Sequence, residues 1–86
     1  MMKNEFDSHL LLSVFEKIRQ HGERQDDRYV LDGVTAYTDH DGYTVFMEDA
    51  LVKLRVGFHN QYHFDYDKAE HLETFEKKLK AIEHNY

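Results

Sequence analysis
Between residues 43 and 66, apolar and polar side chains alternate almost without a break. Val52, Leu54, Val56 and Phe58 are apolar, and charged Lys53 and Arg55 stand among them. Successive side chains on a strand point to opposite faces, so this pattern reads as a strand with one buried and one wet side. Tyr62, Phe64 and Tyr66 repeat it against Gln61, His63 and Asp65, and Tyr43, Val45 and Met47 precede it. Three such runs in succession point to an antiparallel sheet that buries one face.

Loop lengths set a trial register. A three-residue loop at residues 59–61 places Phe58 against Tyr62 and Val56 against Phe64. A four-residue loop at residues 48–51 places Met47 against Val52 and Val45 against Leu54. Both are ordinary hairpin lengths. The apolar residues of the three runs then share a face, whereas a slip of one residue would turn a strand over. The same register sets Arg55 opposite Asp65, Gly57 opposite His63 and Phe46 opposite Lys53.

Upstream, Asp32-Gly33 between apolar residues is a strong hairpin signal, because both turn positions need positive φ. It pairs Leu31 with Val34 and Tyr29 with Ala36. Asp39-His40-Asp41-Gly42 reads as the next loop and sets Val34 against Met47 and Ala36 against Val45. Residues 22–28, Gly-Glu-Arg-Gln-Asp-Asp-Arg, show no periodicity and read as a solvated connector.

A helix is expected at each end. The first spans about residues 4–21, with Asn4 and Asp7 resembling a capping box, and it has an apolar stripe of Leu10, Leu11, Val14, Phe15 and Ile18. Leu12 lies off that stripe, where it could meet a second element. Gly22 occupies the place of a left-handed C-cap. The second helix begins at Asp67, with Asp67 and Glu70 as a second capping box. Its stripe is Ala69, Leu72, Phe75, Leu79 and Ile82, and Asn85 and Tyr86 are expected to fray. The fold class is therefore α+β, a five-stranded antiparallel meander flanked by an N-terminal and a C-terminal helix in two layers.

Composition bounds what such a domain does. Eighty-six residues make a single domain, residues 1–86. It buries only about 60–65% of its unfolded surface, so stability is modest. There is no cysteine, which suits a reducing cytoplasmic setting. The first residues do not resemble a signal peptide, and no apolar run approaches the length of a membrane span. The net charge of −6 opposes general nucleic-acid binding.

Three segments, Phe15-Glu16-Lys17-Ile18-Arg19-Gln20-His21-Gly22, Ala36-Tyr37-Thr38-Asp39-His40-Asp41-Gly42-Tyr43 and Phe58-His59-Asn60-Gln61-Tyr62-His63-Phe64-Asp65-Tyr66, carry a resemblance over nearly the whole chain. The chain resembles a small family of bacterial domains of unknown function. The resemblance implies a small bacterial protein without an assigned activity, and it transfers no catalytic residue.

No stretch carries a catalytic or cofactor signature, so no catalytic residue and no cofactor is assigned, and an enzyme is the less favoured reading. Seven histidines raise the question of a metal. His59, His63 and Asp65 are the nearest set, but two histidines about a hairpin turn fall short of the three or four ligands that a zinc site gathers. His71 belongs to the second helix. Asp39-His40-Asp41-Gly42 lacks the long acidic loop and terminal Glu of an EF-hand, and no Ser or Cys nucleophile accompanies it. Asp and Gly are in any case what a hairpin loop needs.

The polar face of the sheet is the remaining candidate. Tyr37, Phe46, Lys53, Arg55 and His63, with Thr44, point away from the helices. Aromatic and basic residues together suit a protein interface, with another protein or in a homodimer. Single-stranded nucleic acid stacked on the rings is the alternative. A small metal protein or enzyme around His59, His63 and Asp65 is the third reading.

Overall fold
The computed structural model describes residues 8–57 and 61–86. Helix α1 (Ser8–His21) leads into six strands, β1 (Glu23–Gln25), β2 (Arg28–Leu31), β3 (Val34–Thr38), β4 (Val45–Glu48), β5 (Val52–Val56) and β6 (Tyr62–Tyr66), and helix α2 (Ala69–Asn85) closes the chain. The strands form one antiparallel sheet in sequence order. The sheet has six strands rather than the expected five, because the stretch read as a connector contains β1. That strand pairs Glu23 with Val30 and Gln25 with Arg28. All three of its residues are exposed, so no face is apolar and no alternation betrays it. Its turn is Asp26-Asp27, with Asp26 at φ 59°. Asp tolerates the left-handed region better than most residues.

The Asp32-Gly33 turn forms as expected. Both residues have positive φ, 52° and 83°, and Leu31 faces Val34 while Tyr29 faces Ala36. The next three hairpins keep the expected faces but slide by two residues. Ala36 opposes Met47, Met47 opposes Leu54, and Leu54 opposes Phe64. Arg55 therefore opposes His63 rather than Asp65, Asp65 opposes Lys53, and Phe46 opposes Arg55 rather than Lys53. Gly57 does not pair with His63; its N–H donates to the carbonyl of Gln61 at 2.9 Å.

Two aspartates account for part of the shift. Asp39 Oδ1 accepts the N–H groups of Tyr43 and Thr44 at 3.1 and 3.3 Å, which widens that loop until Thr38 meets Val45. Tyr43 is thereby outside the strand and 60% exposed. Asp49 Oδ1 accepts from Leu51 and Val52 at 2.9 and 2.8 Å, closing the turn between β4 and β5. Side-chain oxygens of Asp mimic a backbone turn in this way.

Both helices lie on the apolar face. α1 contacts β2 and β3, α2 contacts β5 and β6, and the helices touch each other. Leu11, Val14 and Ile18 of α1 meet Val34, Ala36, Met47, Leu54 and the α2 residues Phe75, Leu79 and Ile82 in one core, all fully buried. Leu12 is 44% exposed, so it is not buried against a second element. Lys17 Nζ bridges the helices by donating to the Glu83 carbonyl at 2.7 Å and to Glu83 Oε1 at 3.1 Å.

Several helix ends differ from expectation. The Asn4 and Asp7 capping box lies outside the described residues. Gly22 is not left-handed; its N–H reaches the Ile18 carbonyl at 2.8 Å, and the end of α1 presses against β2 there. The cap of α2 is Lys68, without a side-chain hydrogen bond, so the Asp67 and Glu70 box does not form. Asp67 is one residue too early for that role. Ala69 is exposed instead of lying on the buried stripe. The tail does not fray: the Tyr86 N–H bonds the Ile82 carbonyl at 3.2 Å, and its ring centroid lies 5.1 Å from that of His21.

Candidate functional site
The sheet face opposite the helices carries two rows of side chains that run across the strands. Cross-strand pairs build one row in the order Tyr37, Phe46, Arg55 and His63. Arg28 extends it at the β2 end, with Cζ 4.0 Å from the Tyr37 ring centroid. The parallel row contains Thr35, Glu48, Lys53 and Asp65. Tyr37, Phe46, Lys53, Arg55 and His63, expected on this face from the strand alternation, are found there, whereas Thr44 lies in the loop before β4, with its N–H on Asp39 Oδ1.

The rings of Tyr37 and Phe46 stack, with centroids 4.9 Å apart and planes 15° apart. Offset stacking at this separation is a favourable aromatic geometry. Strands β2 and β4 flank β3 on opposite sides, so Arg28 and Phe46 cover opposite faces of the Tyr37 ring. The guanidinium lies well inside the range of a cation–π contact. Tyr37 is thus a clamped ring whose rim, not its face, meets solvent. Arg28 is the site residue that the sequence reading missed. It fell in the apparent connector, although it is two residues before Val30 and so shares its parity.

The Tyr37 hydroxyl donates to Glu48 Oε1 at 2.7 Å. Partial burial, and then this bond to an anionic acceptor, push its pKa up to about 12, so it remains a donor at neutral pH. Glu48 Oε1 is also 3.9 Å from Lys53 Nζ. Lys53 in turn faces Asp65. The second row thus sets one ammonium, Lys53, between two carboxylates, Glu48 and Asp65. Among the described residues, neither Arg28 nor Arg55 has a carboxylate partner, so the aromatic row is the positive one.

Two shallow depressions border this face. One, of about 340 Å³, is lined by residues that include Glu48, Asp49, Leu51, Lys53, Asp65 and Tyr66. The other, of about 500 Å³, lies at the Arg28 end, between Asp27, Tyr37, Thr38, Asp39 and His40. Asp39 and its neighbours serve the loop: the N–H groups that Asp39 accepts occupy its carboxylate. His59 lies outside the described residues. His63 sits beside Arg55, an unfavourable neighbour for a cation, and the described residues contain no group of three metal-ligating side chains. No helix among them is long and apolar enough to cross a membrane.

No curated protein and no solved structure matches the chain. A family model, described as Protein of unknown function (DUF3081), matches residues 6–86. That match spans nearly the whole chain, helices and sheet alike, and the chain belongs to this family of proteins of unknown function.

Proposed function
We propose that residues 1–86 form one cytoplasmic domain that acts as a non-catalytic protein-binding or regulatory module, and that its contact surface is the open face of the sheet. The observation that carries this reading is the stacked pair Tyr37 and Phe46 at the middle of a sheet face that neither helix covers. Aromatic rings and Arg are the residue types that concentrate at the energetic centre of interfaces. Lys53, Arg55 and His63 form the polar surround. The absence of cysteine supports a reducing compartment.

The nucleic-acid reading uses the same face but suits it less well. Base stacking needs an accessible ring face. Both faces of Tyr37 are already occupied, by Arg28 and by Phe46.

Phe46→Glu tests the proposal. The far-ultraviolet circular dichroism should match that of the unchanged protein. Self-association measured by light scattering, or capture of a cytosolic partner, should weaken. Unfolding of the variant, or identical association by both proteins, would refute the role of this face.

A further inference from the structure
Resting on the reading of the open face as a protein-binding surface, we infer that its partner is an extended acidic peptide segment with the pattern acidic–x–apolar–x–acidic. Three observations carry this. The first is charge. On a chain of net charge −6, the row of Arg28, Tyr37, Phe46, Arg55 and His63 contains no carboxylate, while Glu48 and Asp65 in the parallel row are engaged with Tyr37 and face Lys53. An anionic segment is the complement to that row.

The second is ring orientation. The stack turns the rims of Tyr37 and Phe46 outward and keeps the Tyr37 faces inside the Arg28–Tyr37–Phe46 sandwich. The rim of an aromatic ring is the positive part of its quadrupole. Rims therefore favour carboxylate and carbonyl oxygens, and they give a nucleobase little to stack on.

The third is spacing. Arg28 is on β2 and Arg55 on β5, three strands apart in the sheet order. At about 4.8 Å per strand, their backbones stand about 14 Å apart. An extended peptide advances about 3.4 Å per residue, so residues i and i+4 are also about 14 Å apart and point to the same side. An acidic side chain at each of these positions reaches one guanidinium, which binds a carboxylate through two parallel hydrogen bonds. Residue i+2 then falls between them, over Tyr37 and Phe46, where an apolar side chain covers the rings. The peptide crosses the strands instead of adding to a sheet edge.

The test uses the full chain labelled with 15N and blocked synthetic peptides of the type Gly-Glu-Thr-Phe-Thr-Glu-Gly. The acidic peptide should perturb the amide signals of Arg28, Tyr37, Phe46 and Arg55. Arg28→Ala and Arg55→Ala should each weaken binding about two- to fivefold, as expected for the loss of one solvent-exposed ion pair. Both arginines are exposed, and circular dichroism checks that the variants fold. Binding should weaken with added salt. The Lys-flanked counterpart, and a peptide whose two Glu residues are three positions apart, should bind at least tenfold more weakly. Equal binding by acidic and Lys-flanked peptides, tighter binding of oligouridine, or perturbations confined to another surface would overturn the inference. If the Lys-flanked or neutral peptide binds at Tyr37 and Phe46, only the acidic pattern fails. If nothing binds there and Phe46→Glu leaves every association unchanged, the face itself fails.

Discussion

Gly22 faces the backbone carbonyl of Val30 so closely that a Cβ at position 22 would stand 2.7 Å from that oxygen and 2.5 Å from the Ile18 carbonyl oxygen. Both obstacles are backbone atoms, one in the last turn of α1 and one in β2, and neither moves without shifting its element. The contact fixes how the first helix hands over to the sheet. Gly22→Ala should therefore destabilise the protein by about 1–3 kcal/mol, the usual cost of overpacking. Gly57→Ala is the matched control, since a Cβ there meets nothing within 4 Å. Urea melts of the two variants should separate clearly, and equal midpoints would show that the α1–β2 junction yields easily.

Leu54 occupies the middle of β5 and is fully buried, between Met47 on one side and Phe64 on the other. Truncation leaves a cavity among the sheet residues and the α2 residues above them. Leu54→Ala should cost about 2–5 kcal/mol in denaturant melts. A loss under about 0.5 kcal/mol would contradict the close packing typical of protein interiors.

Asp49 ties the β4–β5 turn to α2. Its Oδ1 accepts the Leu51 and Val52 N–H groups, and its Oδ2 accepts Lys78 Nζ at 3.0 Å. Burial pushes its pKa up, but the backbone donors and the Lys78 ammonium outweigh burial and hold it below the ordinary value of 3.8. A depressed folded pKa means that the unfolded chain takes up the proton first. The carboxylate's contribution is thus present above about pH 4 and is lost as pH falls through the folded value. Stability measured from pH 6 down to pH 2 should fall, and Asp49→Asn should lower the plateau while flattening the acid limb. An unchanged acid limb in the variant would remove Asp49 from the acid transition.

Which face of β2 to β6 is buried was legible in the sequence, and the register of the last three hairpins was not, for one reason. Alternation has period two, so a slip of two residues preserves every face and leaves the apolar pattern intact. Val45 lies on the core side whether it meets Ala36, as expected, or Thr38, as found. In the β3–β4 and β4–β5 hairpins what decides between the registers is loop chemistry, and its signal is Asp39 and Asp49 at the loop starts, each accepting two backbone N–H groups. Strand β1 is not legible because Glu23, Arg24 and Gln25 are all exposed, and a strand without a buried face has no hydrophobic period. Arg28 was lost with it. Tyr37, Phe46, Lys53, Arg55 and His63 were legible because placing them needs only parity. The clamp on the Tyr37 ring was not, since it depends on which residues sit side by side.

The Tyr37 hydroxyl gives this clamp a measurable signature. Burial and the bond to Glu48 both disfavour its ionised form, and the Arg28 guanidinium opposes them only weakly, so its pKa is raised from 10 to about 12. The group is protonated in the folded protein at pH values where an unfolded tyrosine has already lost its proton. Its contribution to stability is therefore complete below about pH 10 and disappears as the pH rises toward 12. Of the six tyrosines, the one titrating last in an ultraviolet absorbance titration should be absent from Tyr37→Phe. The same substitution keeps the ring, its stack with Phe46 and its contact with Arg28. It should therefore leave binding at the open face nearly unchanged while it removes the loss of stability between pH 10 and 12. Phe46→Glu should do the reverse, removing binding while the stability at neutral pH is kept. If Tyr37→Phe abolishes binding as fully as Phe46→Glu does, the hydroxyl contacts the partner directly, and the bond to Glu48 belongs only to the unbound state.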